Sequence, residues 1–350
     1  MQFYPPLAVF CSFVCASFSV SSPRALAETS ATKNKLMQVE PTPTLLAIKN
    51  LPTGKLLAYC ENGEKIVVVN ARGEAVFTTD GESPVLSRDG KKIVFTREAQ
   101  LPSPNGLIYH DDLWVANLDG KSAPRQLTST RDSEYAPSWN PDGTQIVFAT
   151  RLNNQGGNGY GLIEIINADG TKRHKITKNE GATQPSWSPD GKTIAFVKMG
   201  IWRMDVNGRK TVRLIDSYSA GEPSWSPNGK LIAYSDGEDE SVTSRDGGRD
   251  GPIIQSTDSI YLIRADVSVA KSKFKERVSR GNFDFQRPVW SADSQWILGE
   301  SDKDGEPLPV PLYDESVSRG PYNLYAIKRG SDEMRRITLG DKSYQNASWR

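Results

Sequence analysis

Short apolar runs rich in β-branched and aromatic residues punctuate this 350-residue chain, each bounded by Gly, Pro, Asn or Asp. Lys91–Thr96, Gln145–Ala149, Lys192–Val197, Lys230–Ser235 and Gln295–Gly299 have the length and make-up of strands rather than helices. Ahead of each stands nearly the same phrase. It reads Ser-Pro-Val-Leu-Ser-Arg-Asp-Gly from Ser83, Ala-Pro-Ser-Trp-Asn-Pro-Asp-Gly from Ala136 and Gln-Pro-Ser-Trp-Ser-Pro-Asp-Gly from Gln184. Two more copies are Glu-Pro-Ser-Trp-Ser-Pro-Asn-Gly from Glu222 and Arg-Pro-Val-Trp-Ser-Ala-Asp-Ser from Arg287. Each copy opens a strand and closes in a tight turn, where Pro189 presets φ, Asp190 suits the next position and Gly191 tolerates positive φ. A third run follows in every unit: Leu113–Gly120, Leu162–Gly170, Ile201–Gly208, Ile260–Asp266 and Asn323–Gly330. A fourth is marked by Arg-Gln-Leu-Thr at Arg125, His-Lys-Ile-Thr at His174, Val-Arg-Leu-Ile at Val212 and Arg-Arg-Ile-Thr at Arg335.

Thr44–Asn50, Lys55–Glu61, Glu64–Asn70 and Glu74–Thr79 supply a further unit ahead of the first clear phrase. A four-stranded unit recurring roughly every 40 to 65 residues predicts an all-β fold, a six-bladed β-propeller of four-stranded antiparallel blades. The chain stops at Ala347-Ser348-Trp349-Arg350, the opening of another phrase. This stub either closes the ring by pairing with the first blade, displacing or extending Thr44–Asn50, or is a frayed remnant.

The recurring Pro-Ser-Trp-Ser-Pro-Asp-Gly phrase resembles the PD40 (WD40-like) repeat of TolB-like β-propellers, which also occurs in the propeller domains of prolyl-oligopeptidase-type peptidases. The resemblance runs from about Leu45 to the C-terminus. It implies the fold strongly and the function weakly, because one scaffold hosts many jobs. TolB proper carries an α/β domain ahead of its propeller, whereas here only the polar stretch Glu28 to Pro43 stands between the apolar N-terminal segment and the first expected strand. The peptidase relatives carry an α/β-hydrolase domain, and no Gly-x-Ser-x-Gly occurs in this chain.

Net charge is +1 and mean hydropathy −0.51, so nothing electrostatic calls for nucleic acid. Leu7–Val20 is too short to span a bilayer but suits a signal-peptide core, and Ala25-Leu26-Ala27 suits cleavage before Glu28. The expected organisation is a signal peptide over 1–27, a polar leader over 28–43 and the propeller over 44–350. Localisation is then periplasmic or secreted, with no membrane insertion after cleavage. Cys60 is the one cysteine left in the mature chain and ends an apolar strand, which reads as a small buried hydrophobe.

Loops alternate between the two faces of an antiparallel blade. The large insertions, Arg97–Asp112, Arg151–Gly161, Asp236–Ser259 and Glu300–Tyr322, all fall between second and third strands and so share one face. Binding residues favour loops on a rigid scaffold, so this decorated face is the expected working face. It also holds the start of each innermost strand, where Ser83, Ala136, Gln184, Glu222, Arg287 and Asn346 should ring the central channel. Candidate partner-binding residues are therefore Ser83, Gln184, Glu222, Arg287 and Asn346 at the mouth, with Arg97, Tyr109, His110, Arg151 and Tyr160 on the rim. Trp139, Trp187, Trp225 and Trp290 hold a fixed place on the innermost strands and read as packing between blades; Trp114 and Trp202 lie nearer the decorated face. His110 stands in Tyr-His-Asp-Asp without a second nearby His or Cys, and Asp302–Glu306 only partly matches a calcium loop. No catalytic residue, cofactor or metal set is assigned.

Two readings follow. One is a non-catalytic, exported, monomeric binding protein that takes a protein partner at the decorated mouth; the TolB resemblance implies an envelope partner such as a Pal-like lipoprotein. The other is a carbohydrate-active propeller, a polysaccharide lyase or glycan-binding module using the rim arginines, tyrosines and carboxylates.

Overall fold

The computed structural model describes residues 56–103, 106–153, 161–178, 181–242, 253–266, 275–279, 284–302, 321–338 and 342–350. The expected signal peptide, the leader, Thr44–Asn50 and Tyr160 lie outside them. So does the Asp302–Glu306 loop beyond Asp302. Among the described residues every regular element is a strand.

The first blade joins the earliest described strands to the C-terminal one. β1 (Leu56–Glu61), β2 (Lys65–Asn70) and β3 (Ala75–Asp80) are completed on the inner side by β24 (Tyr344–Trp349), in the order β24-β1-β2-β3. The stub therefore closes the ring, and it takes the innermost place expected for Thr44–Asn50. Leu56 and Arg350 exchange both backbone hydrogen bonds, at 2.8 and 2.9 Å, which seals the seam.

Five further sheets follow in chain order. Blade two holds β4 (Glu82–Leu86), β5 (Lys92–Ser103), β6 (Gly106–Asn117) and β7 (Arg125–Gln126). Blade three holds β8 (Ser133–Trp139), β9 (Gln145–Arg151), β10 (Gly161–Asn167) and β11 (His174–Lys175). Blade four holds β12 (Thr183–Trp187), β13 (Thr193–Val197), β14 (Ile201–Asp205) and β15 (Val212–Ile215). Blade five holds β16 (Gly221–Trp225), β17 (Leu231–Val242), β18 (Ile253–Arg264) and β19 (Lys275–Arg277). Blade six holds β20 (Phe285–Trp290), β21 (Trp296–Ser301), β22 (Asn323–Lys328) and β23 (Met334–Arg336). All six sheets are four-stranded and antiparallel. The innermost strands contact one another in the closed cycle β24, β4, β8, β12, β16, β20 and back to β24, which makes the arrangement a wheel.

Apolar clusters lie between neighbouring blades, and the phrase tryptophans belong to them. Trp139, Trp187 and Trp290 are buried. Trp139 Nε1 donates to Val85 O at 2.9 Å and Trp290 Nε1 to Ser224 O at 3.0 Å, each reaching the preceding blade's inner strand. Fully burying such side chains contributes about 2–3 kcal/mol apiece. A second device recurs at the outer strands. Thr128, Thr177, Ser279 and Thr338 each accept a backbone N–H from the third strand of the same blade, that of Leu113, Ile163, Ile260 and Leu324, at 2.7–3.0 Å. Ser279 follows β19, a strand with no obvious mark in the sequence; Arg277-Val278-Ser279 is a worn copy of the Arg-x-Ile-Thr signal.

Two of the four insertions differ from expectation. Arg97–Asp112 and Asp236–Ser259 are largely continuations of their strands. β5 and β6 stay paired from Lys92↔Asn117 to Ser103↔Gly106, and β17 and β18 from Leu231↔Arg264 to Val242↔Ile253. They are long hairpins, because antiparallel backbone pairing continues without a break beyond the core.

Candidate functional site: the channel mouth

Each inner strand begins at the same face, and at each beginning one residue adopts a left-handed backbone. Ser83, Ala136, Gln184, Glu222, Arg287 and Asn346 have φ of 47–55°. None is a glycine, and five precede a proline, where this conformation is doubly disfavoured. The pairing register slips at the same six places, as between Glu82 and Val85 or Gln286 and Val289. Six bulges thus form a ring at the mouth and re-aim its side chains. The five mouth residues singled out from the sequence are brought together by this device.

Side chains link the ring. Gln184 Oε1 accepts the Glu222 N–H at 3.0 Å, and Glu222 Oε2 accepts the Arg287 N–H at 2.6 Å. The Arg287 guanidinium lies 3.4 Å from Glu222 Oε1 and 2.9 Å from Glu300 Oε2, while Glu300 Oε1 accepts the Asn346 N–H. Ser235 Oγ adds a 3.0 Å bond to Glu222. Desolvation works against the Arg287 cation, but Glu300 and Glu222 outweigh it and hold its pKa above the usual range. Burial raises the Glu300 carboxyl, with Arg287 pulling the other way. Glu222 and Arg287 are therefore half of a structural clasp spanning blades five, six and one.

Glu300 was not marked as a site residue, yet the sequence carries a signal for it. Aligned on their apolar runs, the second strands place Thr96, Ala149, Val197 and Ser235 in the column where blade six has Glu300. A carboxylate in a column of small or apolar residues is the odd member.

The rim residues divide. Arg97 is engaged: it donates to Asp80 O at 2.8 Å and to Thr79 Oγ1 at 2.5 Å, and lies 4.5 Å from the Trp114 ring. Trp202 is similarly covered by Arg213, 5.5 Å away, and donates to Lys198 O at 2.7 Å. His110 is buried, 3.6 Å from Asp112, which in turn accepts from Gln126 at 2.9 Å. Among the described residues, no group of three His, Cys, Asp or Glu is placed to hold a metal. Tyr109 is exposed and Arg151 ends β9 in an exposed position. Cys60 is buried, its thiol pushed up to about 12 by burial and by Glu82 and Glu300.

Carboxylates crowd this face. Burial and then Asp111 push Glu82 up to about 7, with Glu98 and Glu64 adding and Arg287 opposing. Burial and then Asp284 push Asp258 up to about 7, with Glu222 and Asp236 adding. Asp111 is also raised by burial and Glu98, against Arg151.

The family description "TolB beta propeller domain" matches residues 52–247. The chain belongs to the TolB β-propeller family. TolB from Acinetobacter baumannii superposes with a TM-score of 0.60 at 15% identity, over 84% of this chain and 66% of that one. A putative TolB from Agrobacterium tumefaciens superposes with a TM-score of 0.55 at 17% identity, over 84% of this chain and 98% of that one. In sequence, dipeptidyl-peptidase 5 of Porphyromonas gingivalis is 39% identical over 72 residues, 21% of this chain. The chain spans 66% of the A. baumannii protein and this match 10% of the peptidase. At these identities the structural likenesses speak for the fold.

Proposed function

We propose that this chain is an exported, non-catalytic binding protein whose channel mouth takes a protein partner in the cell envelope, a Pal-like lipoprotein being the kind of partner the family suggests. The observation that carries the reading is the mouth itself. Six strained, bulged strand starts and two projecting hairpins share one face, and such strain concentrates where a site is pre-shaped. Among the described residues the opposite face carries tight turns, such as those closed by the Gly90, Gly143 and Gly191 N–H groups. The apolar Leu7–Val20 run followed by Ala25-Leu26-Ala27 supports export to the periplasm or beyond. A rigid wheel with the ring clasped by Glu222, Arg287 and Glu300 suits binding as a monomer without rearrangement.

The test is site-specific photocrosslinking in intact cells. A photoreactive residue at exposed Tyr109 should yield a defined protein adduct, and one at exposed Lys91, on the turn face, should not. Equal labelling from both positions, or none from Tyr109, removes the reading. The carbohydrate-active alternative draws on exposed Tyr109 and Arg151 at the rim. Turnover or retention of uronides by the mature chain would favour it.

A further inference from the structure

Blades two and five are three steps apart in a six-bladed wheel, so their long hairpins rise on opposite sides of the mouth. Both are acidic. In blade two the outward-facing side chains of β5 and β6 run Glu98 and Asp111, directly paired, then Gln100 with Tyr109 and Pro102 with Leu107. Tyr109 and Leu107 are 54% and 53% exposed, among the most exposed large apolar residues described. Two like charges directly opposite in a ladder repel, which is a cost the free protein carries. In blade five Asp258, paired with Gly237 at the foot of the hairpin, stands among Asp284, Glu222 and Asp236.

Polar groups at the feet of the hairpins are also left wanting. Ser259 Oγ, paired in register with Asp236, and His110 Nδ1 are buried and make no hydrogen bond. The cations that reach this region, Arg151 toward Asp111, Arg287 toward Glu82 and Lys275 at 3.0 Å from Asp236, leave the mouth carboxylates mutually crowded. Glu98 and Asp111 face each other across the ladder near Glu82, and Asp258 stands among further carboxylates.

We infer that the mouth binds a partner segment bearing lysine or arginine side chains next to apolar ones, held between the blade-two and blade-five hairpins. This rests on the protein-binding reading and names the chemistry of the partner's docking segment. The basic groups relieve the repulsion among Glu98, Asp111, Glu82 and Asp258, while Tyr109, Leu107 and Pro102 take the apolar neighbours. Complementary charge of this kind sets orientation and encounter rate and weakens with salt.

The test uses the intact chain and two labelled synthetic peptides of equal length, one alternating Lys with Leu and Tyr, the other with each Lys replaced by Glu. Fluorescence anisotropy at low ionic strength should show the basic peptide binding at least about tenfold tighter than the acidic one, with the gap closing as salt is added. Glu98→Gln with Asp111→Asn, and separately Glu82→Gln with Asp258→Asn, should each weaken the basic peptide several-fold. Asp142→Asn with Asp169→Asn, an equal charge change on the turn face, should not. Equal binding of the two peptides, or equal loss from the Asp142/Asp169 variant, overturns the inference. The two failures are separable. If Tyr109 crosslinks no protein, the protein-binding reading falls; if the crosslinked partner is held as firmly by the Glu98/Asp111 variant, only the charge assignment falls.

Discussion

At the turn face Asp89, Asp142 and Asp190 each sit two residues after a Ser or Asn, in the same tight turn, and are gripped by it. Ser87 and Ser188 donate to Asp89 and Asp190 at 2.7 and 2.6 Å, and Thr144 donates to Asp142 through its backbone N–H at 2.9 Å. Those hydrogen bonds hold all three carboxyls below their ordinary pKa. At the mouth Glu82 and Asp258 face other carboxylates and stand at about 7. The same functional group is thus a turn-locking device at one end of the wheel and an unrelieved charge at the other. Groups that stabilise by local bonds serve the fold, whereas groups held at a cost point to a task outside it.

Three measurements would break or sharpen this contrast. The largest effect belongs to the clasp. Arg287→Met leaves Glu300, 2% exposed, beside Glu222 with no cation, and should cost about 3–5 kcal/mol in denaturant unfolding. Adding Glu300→Leu should recover much of that, and a mild effect of Arg287→Met alone would show that the clasp is not structural. Next comes neutralisation on each face. Asp190→Ala should cost about 1 kcal/mol, since it frees the Ser188 hydroxyl and the Lys192 N–H, 3.0 Å away. Glu82→Gln should leave stability at neutral pH unchanged or slightly raised. Matching losses at both sites would erase the distinction between the faces.

The smallest effect is in pH. Glu82 and Asp258 have folded pKa values above their unfolded ones, so between roughly pH 4 and 7 the native state holds more protons than the unfolded chain. Their contribution to stability therefore falls as pH rises through that window, and is fully unfavourable above about 7. Glu82→Gln with Asp258→Asn should flatten the slope measured by thermal unfolding. Glu164 acts in the opposite sense. Desolvation raises it, but Arg173, at 2.8 Å, outweighs that and holds its pKa down, so its stabilisation is lost in acid below the ordinary carboxylate range. An unchanged slope in the double variant would show that the mouth carboxylates are better solvated than their crowding implies.

Much of the wheel was legible because each blade repeats its own instructions. The Pro-Asp-Gly turns, the apolar second strands and the Arg-x-Ile-Thr outer strands recur in phase, and that local chemistry is enough to count sheets. β19 escaped because its outer-strand signal had worn to Arg277-Val278-Ser279, and β24 was ambiguous because its partner is the distant β1, Leu57 pairing with Trp349 and Glu61 with Tyr344. The mouth ring was legible from the residue preceding each phrase proline. Its clasp was not, because Glu222 of blade five meets Arg287 and Glu300 of blade six, and Glu300 meets Asn346 of blade one, only when the wheel closes.

Repetition in the chain thus determined the sheet, its turns and the face on which the insertions emerge, since all three depend on contacts within one blade. The tertiary structure alone decided that the C-terminal strand completes the first blade, that two insertions stand up as hairpins, and that acidic groups remote in sequence share one mouth. The first and last of these come from closing the circle, where Coulomb forces act between atoms that no local pattern relates, whereas the hairpins come from backbone pairing within one blade.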